Sequence, residues 1–404
     1  MGSDNCVSWS WVMIVFMLLS IWNVDVDGQS TNFIVTDFGA VADGKTDSRQ
    51  AFQDAWKSAC QADGGVVSVP QGTFRVSGSA VFEGPCNGQT GFSVDGTVIA
   101  SDDPTLDKDY WITFHKVDAL TVSGYGVFDG NGASSWSSCN GVKNCNPLPP
   151  VTMKINSVTN SAIHDINLVN SKMFHLVVQE SQNLNVYNVS ITAPEDSPNT
   201  DGIHTSRSNG VNIFDSHIAT GDDCISMGDG SRNVNISGVW CGPGHGISIG
   251  SLGKYEGEED VSGITVRGCT LTNTDNGLRI KTWAPSLSST VVSDVTYTDI
   301  NVNNVKNPII IDQYYCPGGS CRHEEESSVA IKGVKYINIR GSSATETGVN
   351  MQCSKSYPCQ DIELRGLELT YNGQPTTASC SSADGIFQGT DQVPSQCSSQ
   401  YACF

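Results

Sequence analysis

The sequence predicts an all-β fold, a parallel β-helix in which short strands wind into a solenoid behind one capping helix. Three observations predict it. Strands of like pattern recur along the chain, polar turns precede them at regular spacing, and a single amphipathic helical segment lies near the start. Recurring strands without hairpin turns are typical of a solenoid, whereas a β-sandwich would show hairpins and a leucine-rich repeat would show Leu at fixed offsets.

The first 28 residues are predicted to be a secretory signal peptide, which leaves residues 29–404 as a single β-helix domain. The residues from Trp11 to Trp22 form an apolar run broken only by Ser20, shorter than the about 20 residues that span a membrane. Because no Lys or Arg precedes this run, a buried core strand is the alternative. No other stretch is apolar enough to cross a bilayer, so no membrane partner is expected.

The helical segment runs from Ser48 to Ala62, with Asp47 as its predicted N-cap. Its apolar residues repeat at helical spacing and fall on one face: Ala51, Phe52, Ala55, Trp56 and Ala59. The end of a solenoid exposes apolar core, so we expect this helix to cap the N-terminal end.

Two families of strands alternate along the rest of the chain. The first follows the polar turns at steps of 28, 22, 22, 31, 31 and 40 residues, and its members begin at Phe174, Gly202, Cys224, Gly246, Gly277, Pro308 and Gly348. The second contains Leu184–Tyr187, Val211–Phe214, Val234–Ser237, Ile264–Arg267 and Val295–Thr298. Because apolar and polar residues alternate in both, we expect one face of each strand to point into the solenoid.

The 15 Cys residues indicate disulfides formed in an oxidising, extracellular compartment. Zinc sites are the alternative, but no CxxC pair occurs. Several Cys lie close in sequence, although spacing does not decide which of them pair: Cys139 and Cys145, Cys316 and Cys321, Cys353 and Cys359, Cys224 and Cys241. Two glycosylation sequons, at Asn188 and Asn235, fit a secreted chain.

The formal net charge of −20 argues against nucleic-acid and anionic-membrane partners, because both need a basic surface. The same charge would repel a polyanionic substrate at long range, so an anionic substrate would need locally placed cations. Simple solubility in an acidic extracellular space is the alternative explanation. We expect the protein to act as a monomer.

Asp201, Asp223 and His245 each stand directly before a strand of the first family, at steps of 22 and 22 residues. Adjacent strands lie about 4.8 Å apart, so matching positions of consecutive coils become neighbours. Asp222 is one residue out of this register and is expected to point elsewhere. Crowded carboxylates repel one another, so at least one should have a pKa well above about 3.9 and stay protonated. A protonated acid beside ionised carboxylates suits cleavage of a glycosidic bond, and a calcium site or simple Asx turns are the alternatives.

Arg279 and Lys281 occupy alternate positions of the coil that begins at Gly277, so both side chains point to the same face. Beside three carboxylates these cations would bind a negatively charged sugar, and surface charge balance is the alternative. Tyr315 lies at the same end of the next coil, where it would stack on or hydrogen-bond a sugar. Trp283 is a second aromatic candidate.

Four motifs together resemble the signatures of polygalacturonases, the pectin-cleaving glycoside hydrolases of the right-handed β-helix class. They are Asn199-Thr200-Asp201, Gly221-Asp222-Asp223, Gly244-His245-Gly246 and Arg279-Ile280-Lys281. They occur in the order and with the spacing of the family, and the resemblance covers nearly the whole chain after the predicted leader.

The resemblance implies hydrolysis of α-1,4 bonds between galacturonic acids in pectin, with inversion at the anomeric carbon. Asp222 would be the general acid, while Asp201 and Asp223 would hold and activate the attacking water. No metal and no cofactor is implied. Arg279 and Lys281 would bind carboxylates of the substrate. His245, Asn199 and Tyr315 would support geometry and binding.

Two segments look like the exo-acting, pollen-type branch of the family: Gly250–Tyr255 with Glu258–Asp260, and Asn307 through Pro317. Exo action would need a loop that closes the cleft beyond the non-reducing end. Three alternatives remain open: an endo-acting enzyme, a rhamnogalacturonan hydrolase and a pectin-binding β-helix without activity. A pectate lyase is disfavoured, because elimination would normally require calcium.

Overall fold

A computed structural model of the chain describes residues 31–103, 106, 109–138, 148–317, 319, 321, 325–388 and 392–399. Two α-helices lie in these ranges, α1 (Arg49–Gln61) and α2 (Ala133–Ser138), with a 3-10 helix at Val35–Phe38. Neither α-helix is long and apolar enough to cross a membrane. The predicted signal peptide lies outside the described residues.

The first strands of the described chain are β1 (Thr31–Ile34), β2 (Asp43–Asp47), β3 (Gly65–Val69), β4 (Thr73–Val76), β5 (Ala80–Glu83), β6 (Thr90–Val94), β7 (Thr97–Ala100), β8 (Tyr110–His115), β9 (Leu120–Ser123) and β10 (Val127–Asp129). The central strands are β11 (Val151–Asn156), β12 (Thr159–His164), β13 (Asn167–Val169), β14 (Leu176–Gln179), β15 (Gln182–Tyr187), β16 (Ser190–Thr192), β17 (Ile203–Ser206), β18 (Asn209–Phe214), β19 (His217–Ala219), β20 (Ile225–Met227), β21 (Arg232–Ser237), β22 (Trp240–Cys241) and β23 (Ile247–Leu252). The last strands are β24 (Val261–Arg267), β25 (Thr270–Thr272), β26 (Asn276–Trp283), β27 (Val291–Val305), β28 (Asn307–Tyr315), β29 (Ala330–Ser343), β30 (Thr347–Gln352), β31 (Cys359–Arg365), β32 (Glu368–Tyr371), β33 (Gln374–Pro375), β34 (Thr377–Ser381), β35 (Ala383–Gln388) and β36 (Ser398–Ser399).

Two sheets form the coils of the solenoid. One has 12 strands, stacked in the order β5, β8, β11, β14, β17, β20, β23, β26, β28, β30, β34 and β36. The other has 24 strands in two columns, which merge where the long strands β27 and β29 span both columns. The pairings between described strands are parallel except for β32 with β33. The predicted parallel β-helix is therefore confirmed.

In the 12-stranded sheet the register of the predicted strand family is confirmed from β17 onward. In the 12-stranded sheet the successive partners are Ile203, Ile225, Ile247, Leu278 and Ile309, which preserves the predicted steps of 22, 22, 31 and 31 residues. In the second sheet the successive partners are Leu184, Val211, Val234, Ile264 and Val295.

One predicted step is wrong. Leu176 pairs with Ile203, so Gly202 lies beside His175 and not beside Phe174. The prediction counted from the polar turns, whereas the register is set by the apolar residues that point inward. Leu176 and Ile203 are both fully buried, and the turn between the coils absorbs the difference of one residue.

Helix α1 covers the N-terminal end as predicted, with Phe52 and Trp56 buried against the aromatic rings of the first coils. The predicted N-cap is wrong by one residue, since α1 begins at Arg49 and its N-cap is Ser48. Asp47 accepts a hydrogen bond from the Arg49 N–H at 3.1 Å. Helix α2 was not predicted, because its six residues are mostly Ser and show no apolar periodicity.

Five disulfides lie within the described residues: Cys60–Cys86, Cys224–Cys241, Cys316–Cys321, Cys353–Cys359 and Cys380–Cys397. They confirm disulfides over zinc for these Cys, while Cys139 and Cys145 lie outside the described residues. Because Cys224 directly follows Asp223, its disulfide ties that turn to β22.

Candidate active site

Four consecutive coils of the 12-stranded sheet, those of β17, β20, β23 and β26, carry the candidate residues. Their strands are successive partners in register, so side chains distant in sequence become neighbours on adjacent coils. In coil order the residues are Asp201, then Asp222 and Asp223, then His245, then Arg279 and Lys281.

Asp223 is buried within a network of ion pairs. Its Oδ1 accepts hydrogen bonds from Arg279 at 2.6 Å and from Ser248 Oγ at 2.8 Å, and its Oδ2 accepts one from Lys281 Nζ at 2.7 Å. Burial raises the pKa of Asp223, but the charges of Arg279 and Lys281 outweigh burial and lower the pKa to about 2. The two cations are themselves only 11% and 9% exposed, which excludes a role as surface charges.

Asp201 is buried one coil earlier, where Ser226 Oγ donates a hydrogen bond to its Oδ2 at 2.8 Å. Burial, and then the charges of Asp222 and Asp223, raise the pKa of Asp201 well above its ordinary value, although Lys281 opposes them. The expected carboxyl with a raised pKa is therefore present among the three, and it is Asp201.

Asp222 is partly exposed and contacts His245. His245 Nδ1 lies 2.9 Å from Asp222 Oδ1, and its Nε2 lies 3.7 Å from Asp275 Oδ2. Burial lowers the pKa of His245, but the hydrogen bond and the charge of Asp222 outweigh burial and leave it raised. His245 shares its register with the two buried aspartates but contacts neither of them through a hydrogen bond. Gly244 and Gly246 on either side have φ of 147° and 91°, so the turn departs from the regular pleat.

A cleft of about 840 Å³ runs past these residues, and Asn199, Lys281, Trp283 and Tyr315 line it. The Trp283 and Tyr315 rings meet edge to face with centres 5.7 Å apart, and Lys281 Nζ lies 5.3 Å from the centre of the Tyr315 ring. Trp283 Nε1 is buried without a hydrogen-bond partner among the described residues.

One wall of the cleft is the loop after β23, which contributes Lys254, Tyr255 and Glu258. The Glu258 carboxylate accepts hydrogen bonds from the backbone N–H of Gly253 and, at 2.9 Å, of Tyr255. Lys254 Nζ lies 5.1 Å from the centre of the Tyr255 ring and 5.4 Å from that of Trp283. The wall thus presents a cation beside aromatic rings, an arrangement suited to an acidic sugar.

Asp222, Asp223 and His245 place possible metal-ligand atoms within 4.8 Å of one another. However, both carboxylate oxygens of Asp223 already accept hydrogen bonds from the cationic side chains of Arg279 and Lys281. A divalent cation there would meet two buried positive charges at close range. The arrangement therefore suits acid–base chemistry better than a metal site.

A match to a protein-family model identifies the family of this chain. A family model described as "Glycosyl hydrolases family 28" matches residues 60–397. The chain belongs to glycosyl hydrolases family 28. This confirms the resemblance found in the sequence and shows that the chain is a glycoside hydrolase.

Curated plant proteins align with nearly the whole of this family 28 hydrolase. The "Polygalacturonase" of Gossypium hirsutum is 44% identical over 382 residues, which is 93% of each chain. The "Exopolygalacturonase" of Oenothera organensis is 45% identical over 363 residues, 88% of this chain and 99% of that one. That of Platanus acerifolia is 43% identical over 375 residues, 91% of this chain and 98% of that one.

Solved structures share the fold. The endo-xylogalacturonan hydrolase from Aspergillus tubingensis has a TM-score of 0.80 at 22% identity, covering 92% of this chain and 100% of that one. The polygalacturonase from Erwinia carotovora ssp. carotovora has a TM-score of 0.69 at 24% identity, covering 88% and 96%. At such identities these matches show only the shared right-handed parallel β-helix, as the sequence predicted.

Sequence reasoning missed a row of polar residues in this family 28 hydrolase. His204, Ser226, Ser248 and Arg279 are successive partners on β17, β20, β23 and β26. Each stands two positions after the first residue of its predicted strand. That spacing is present in the sequence, but it predicts a site role only for the charged member, Arg279.

Asp201→Asn is expected to raise the melting temperature at pH 7. The amide removes a buried carboxyl whose charged form is opposed by burial and by Asp222 and Asp223, while its Oδ1 still accepts the hydrogen bond from Ser226. We expect a gain of about 0.5–2 kcal/mol, the usual size for a stabilising substitution. Calorimetry at several pH values measures it.

The sign of the pH dependence follows from the raised pKa. The stability that protonated Asp201 provides is lost as pH rises through its folded-state pKa, so the gain should be largest at high pH and vanish in acid. Asp223→Asn is the matched control and should destabilise, because it leaves Arg279 and Lys281 without their carboxylate. A lower melting temperature for Asp201→Asn at pH 7 would contradict this account of the site.

Proposed function

We propose that this chain hydrolyses the α-1,4 bonds between galacturonic acid units of polygalacturonate, the backbone of pectin, with inversion at the anomeric carbon. One observation carries the proposal. Three carboxyl groups in different environments meet two cations beside one cleft of a family 28 chain. The plant relatives named polygalacturonase and exopolygalacturonase support it, since over two-fifths of their residues are identical to this chain.

Asp222 is proposed as the general acid that protonates the leaving glycosidic oxygen. Its side chain is 16% exposed, against 1% for Asp223, so it is better placed to reach a bound sugar. Its Oδ1 accepts a hydrogen bond from the backbone N–H of Asp223 at 2.7 Å and contacts His245, whose other ring nitrogen faces Asp275. His245 is proposed to hold Asp222 in position and to supply the electrostatic support for its change of protonation.

Asp201 and Asp223 are proposed to hold and activate the attacking water. With a raised pKa, Asp201 is the stronger base once it is ionised. Asp223 stays ionised because of Arg279 and Lys281, so it serves as a constant acceptor that orients the water. The environments of the two side chains thus support different tasks within one pair.

The substrate carboxylates are proposed to bind Lys281 and Arg279. Lys281 lines the cleft and uses one of its three N–H donors on Asp223, while Arg279 uses two of its five on Asp223 and Ser248. Because the whole chain carries a net charge of −20, these local cations and Lys254 would offset its repulsion of a polyanion. Asn199 and Tyr315 are proposed to bind sugar hydroxyls from the cleft wall.

We further propose exo action from the non-reducing end, releasing galacturonic acid. Two relatives at 43% and 45% identity are named exopolygalacturonase. The loop closed by Glu258 supports the same conclusion, because it brings Lys254 and Tyr255 into the cleft as a wall. If this loop closes one end of the cleft, the site accepts the end of a polymer and excludes its middle.

Product analysis on oligogalacturonates labelled at the reducing end tests the proposal. Mass spectrometry should show free galacturonic acid and a labelled chain one unit shorter, and polymer viscosity should fall little. Dimers and trimers with a sharp loss of viscosity would indicate endo action, and an unsaturated product would indicate a lyase. Absence of any product would leave only pectin binding and overturn the assignment of Asp222.

We also propose that the chain is secreted, acts in the cell wall as a monomer and needs no cofactor. The five disulfides of the described residues support an oxidising compartment. The leader of residues 1–28 stays a prediction, which N-terminal sequencing of the secreted chain would test. A secreted chain that still began at Met1 would refute it.

A further inference from the structure

His204 lines the cleft on β17, and the proposed chemistry leaves it without a role. Its Nδ1 lies 2.8 Å from Ser226 Oγ, and Ser226 Oγ lies 2.8 Å from Asp201 Oδ2. The three side chains form a continuous chain of hydrogen bonds, hereafter the relay. The relay leads from a carboxyl beside the attacking water to a ring at the cleft.

The relay has only two complete arrangements, because a serine hydroxyl carries one proton. When Asp201 is ionised, Ser226 donates to Asp201 and accepts from the Nδ1–H of His204, so Nε2 carries a lone pair. When Asp201 is protonated, Asp201 donates to Ser226 and Ser226 donates to Nδ1, so Nε2 carries the proton. The second arrangement holds one more proton than the first, and that proton is the one on Asp201.

The surroundings of His204 keep its ring neutral and its Nε2 towards the cleft. Burial, and then the charge of Lys281, lower the pKa of His204 to about 4, so the ring has one proton to place. A Cβ at Gly228 would lie 3.1 Å from both Cε1 and Nε2, so this glycine leaves room for that edge of the ring. No hydrogen bond from the described part of the chain reaches Nε2, and the Phe174 ring packs with its centre 5.3 Å away.

We propose that His204 and Ser226 are positioning residues that orient Asp201 towards the attacking water and that His204 Nε2 binds a hydroxyl of the sugar beside it. With Asp201 ionised, Nε2 accepts a hydrogen bond from that hydroxyl. After the water has given its proton to Asp201, the relay reverses and Nε2–H becomes a donor, with the ring proton exchanged through cleft water. This inference rests on the proposed function, since it assigns water activation to Asp201.

Several charged or titratable groups face the relay and take part in setting its pH dependence. Those facing Asp201 are Asp222, Asp223, Lys281 and His175, whose Nδ1 lies 3.1 Å from the Asp201 backbone oxygen. Those facing His204 are Lys281, Asp223 and Asp229. All of these groups are unchanged in the variants described below. A difference in pH dependence between variants therefore comes from the relay.

The tautomer of His204 tests the relay without any turnover. In the full chain labelled with ¹⁵N-histidine, two-bond ¹H–¹⁵N spectra identify which ring nitrogen carries the proton, and His204→Gln assigns the signal. We expect Nε2–H at low pH and Nδ1–H at high pH, with the change at the pH where Asp201 ionises. In Ser226→Ala the tautomer should no longer change at that pH. A single tautomer throughout in the wild type would overturn the relay.

Kinetics test the positioning role on a trigalacturonate substrate. Ser226→Ala should lower kcat by about 10²-fold with little change in KM, as expected for a misplaced reacting group. The Ser226 hydrogen bond lowers the pKa of Asp201, so its loss should move the acidic limb of kcat/KM to higher pH. An unmoved acidic limb would overturn the role of Ser226 as a positioning residue.

Two amide variants separate the two ring nitrogens of His204. His204→Asn places an amide near the position of Nδ1 and should retain more of kcat than His204→Gln, which places it near Nε2 and loses the contact with Ser226. Equal losses in both variants would contradict the relay. If the wild type cleaves no oligogalacturonate, the proposed function fails, and the tautomer measurement still decides whether the relay exists.

Discussion

Asp222→Asn is expected to lower kcat on oligogalacturonates by about 10²–10⁴-fold, the range usual for the loss of a general acid. The amide keeps the shape of the side chain, and its oxygen can still accept a hydrogen bond from His245, so the cleft should stay intact. What it lacks is a proton acidic enough for the leaving oxygen. Steady-state kinetics gives kcat, and calorimetric titration with trigalacturonate should show nearly unchanged affinity.

Asp215→Asn provides the matched control for this substitution. Asp215 is exposed on the turn between β18 and β19, away from the cleft, and its φ of 48° suits Asn as well as Asp. The control should keep wild-type kinetics. If Asp222→Asn retained more than about a tenth of the wild-type kcat, against the size of effect expected of a general acid, Asp222 could not be the acid.

Lys281→Met is expected to destabilise the fold by about 1–3 kcal/mol, the cost of leaving a buried acceptor unsatisfied, because Arg279 still compensates the charge of Asp223. Met matches the length of the side chain but leaves Asp223 Oδ2 without its ammonium, 2.7 Å away in the wild type. Binding of polygalacturonate should weaken as well. The loss of the Lys281 charge should also raise the pKa of Asp201 further. The acidic limb of the pH–activity profile should therefore lie at higher pH than in the wild type.

The double variant Lys281→Met with Asp223→Asn tests how the ion pairs of the site act together. It should be less stable than Lys281→Met alone, because Asp223→Asn also leaves the buried Arg279 without its carboxylate. Lys332→Met is the control for removing a lysine, since Lys332 is exposed on β29 in the other sheet. A Lys281→Met protein as stable as the control would show that the ion pair contributes nothing.

The stacking of the site could be predicted because its register depends on apolar residues that recur in the sequence. Ile203, Ile225 and Ile247 repeat at 22 residues, and the turns before them follow the same repeat. Which carboxyl would have the raised pKa could not be predicted, because that depends on burial and on the reach of two cations. The sequence predicted a substrate contact for Lys281, whereas in the structure its Nζ donates a hydrogen bond to Asp223 Oδ2.

The pairing of His245 with Asp222 was also beyond prediction. A count of residues places His245 level with Asp223, but glycines with positive φ on either side change the direction of the turn. The hydroxyls of Ser226 and Ser248 were overlooked for another reason. Neither is charged, and a serine on a strand has no distinctive pattern until the carboxylate beside it is known.

The direction of the contacts in the site has a consequence for how the chain is made. Every side chain that neutralises or holds a catalytic carboxylate comes from a coil further along the chain, from Ser226 and His245 to Arg279 and Lys281. A ribosome therefore releases the acids before their partners. A growing solenoid that stopped short of β26 would have to bury Asp223 without a cation. The coil of β26 therefore stabilises the coils of the site that form before it.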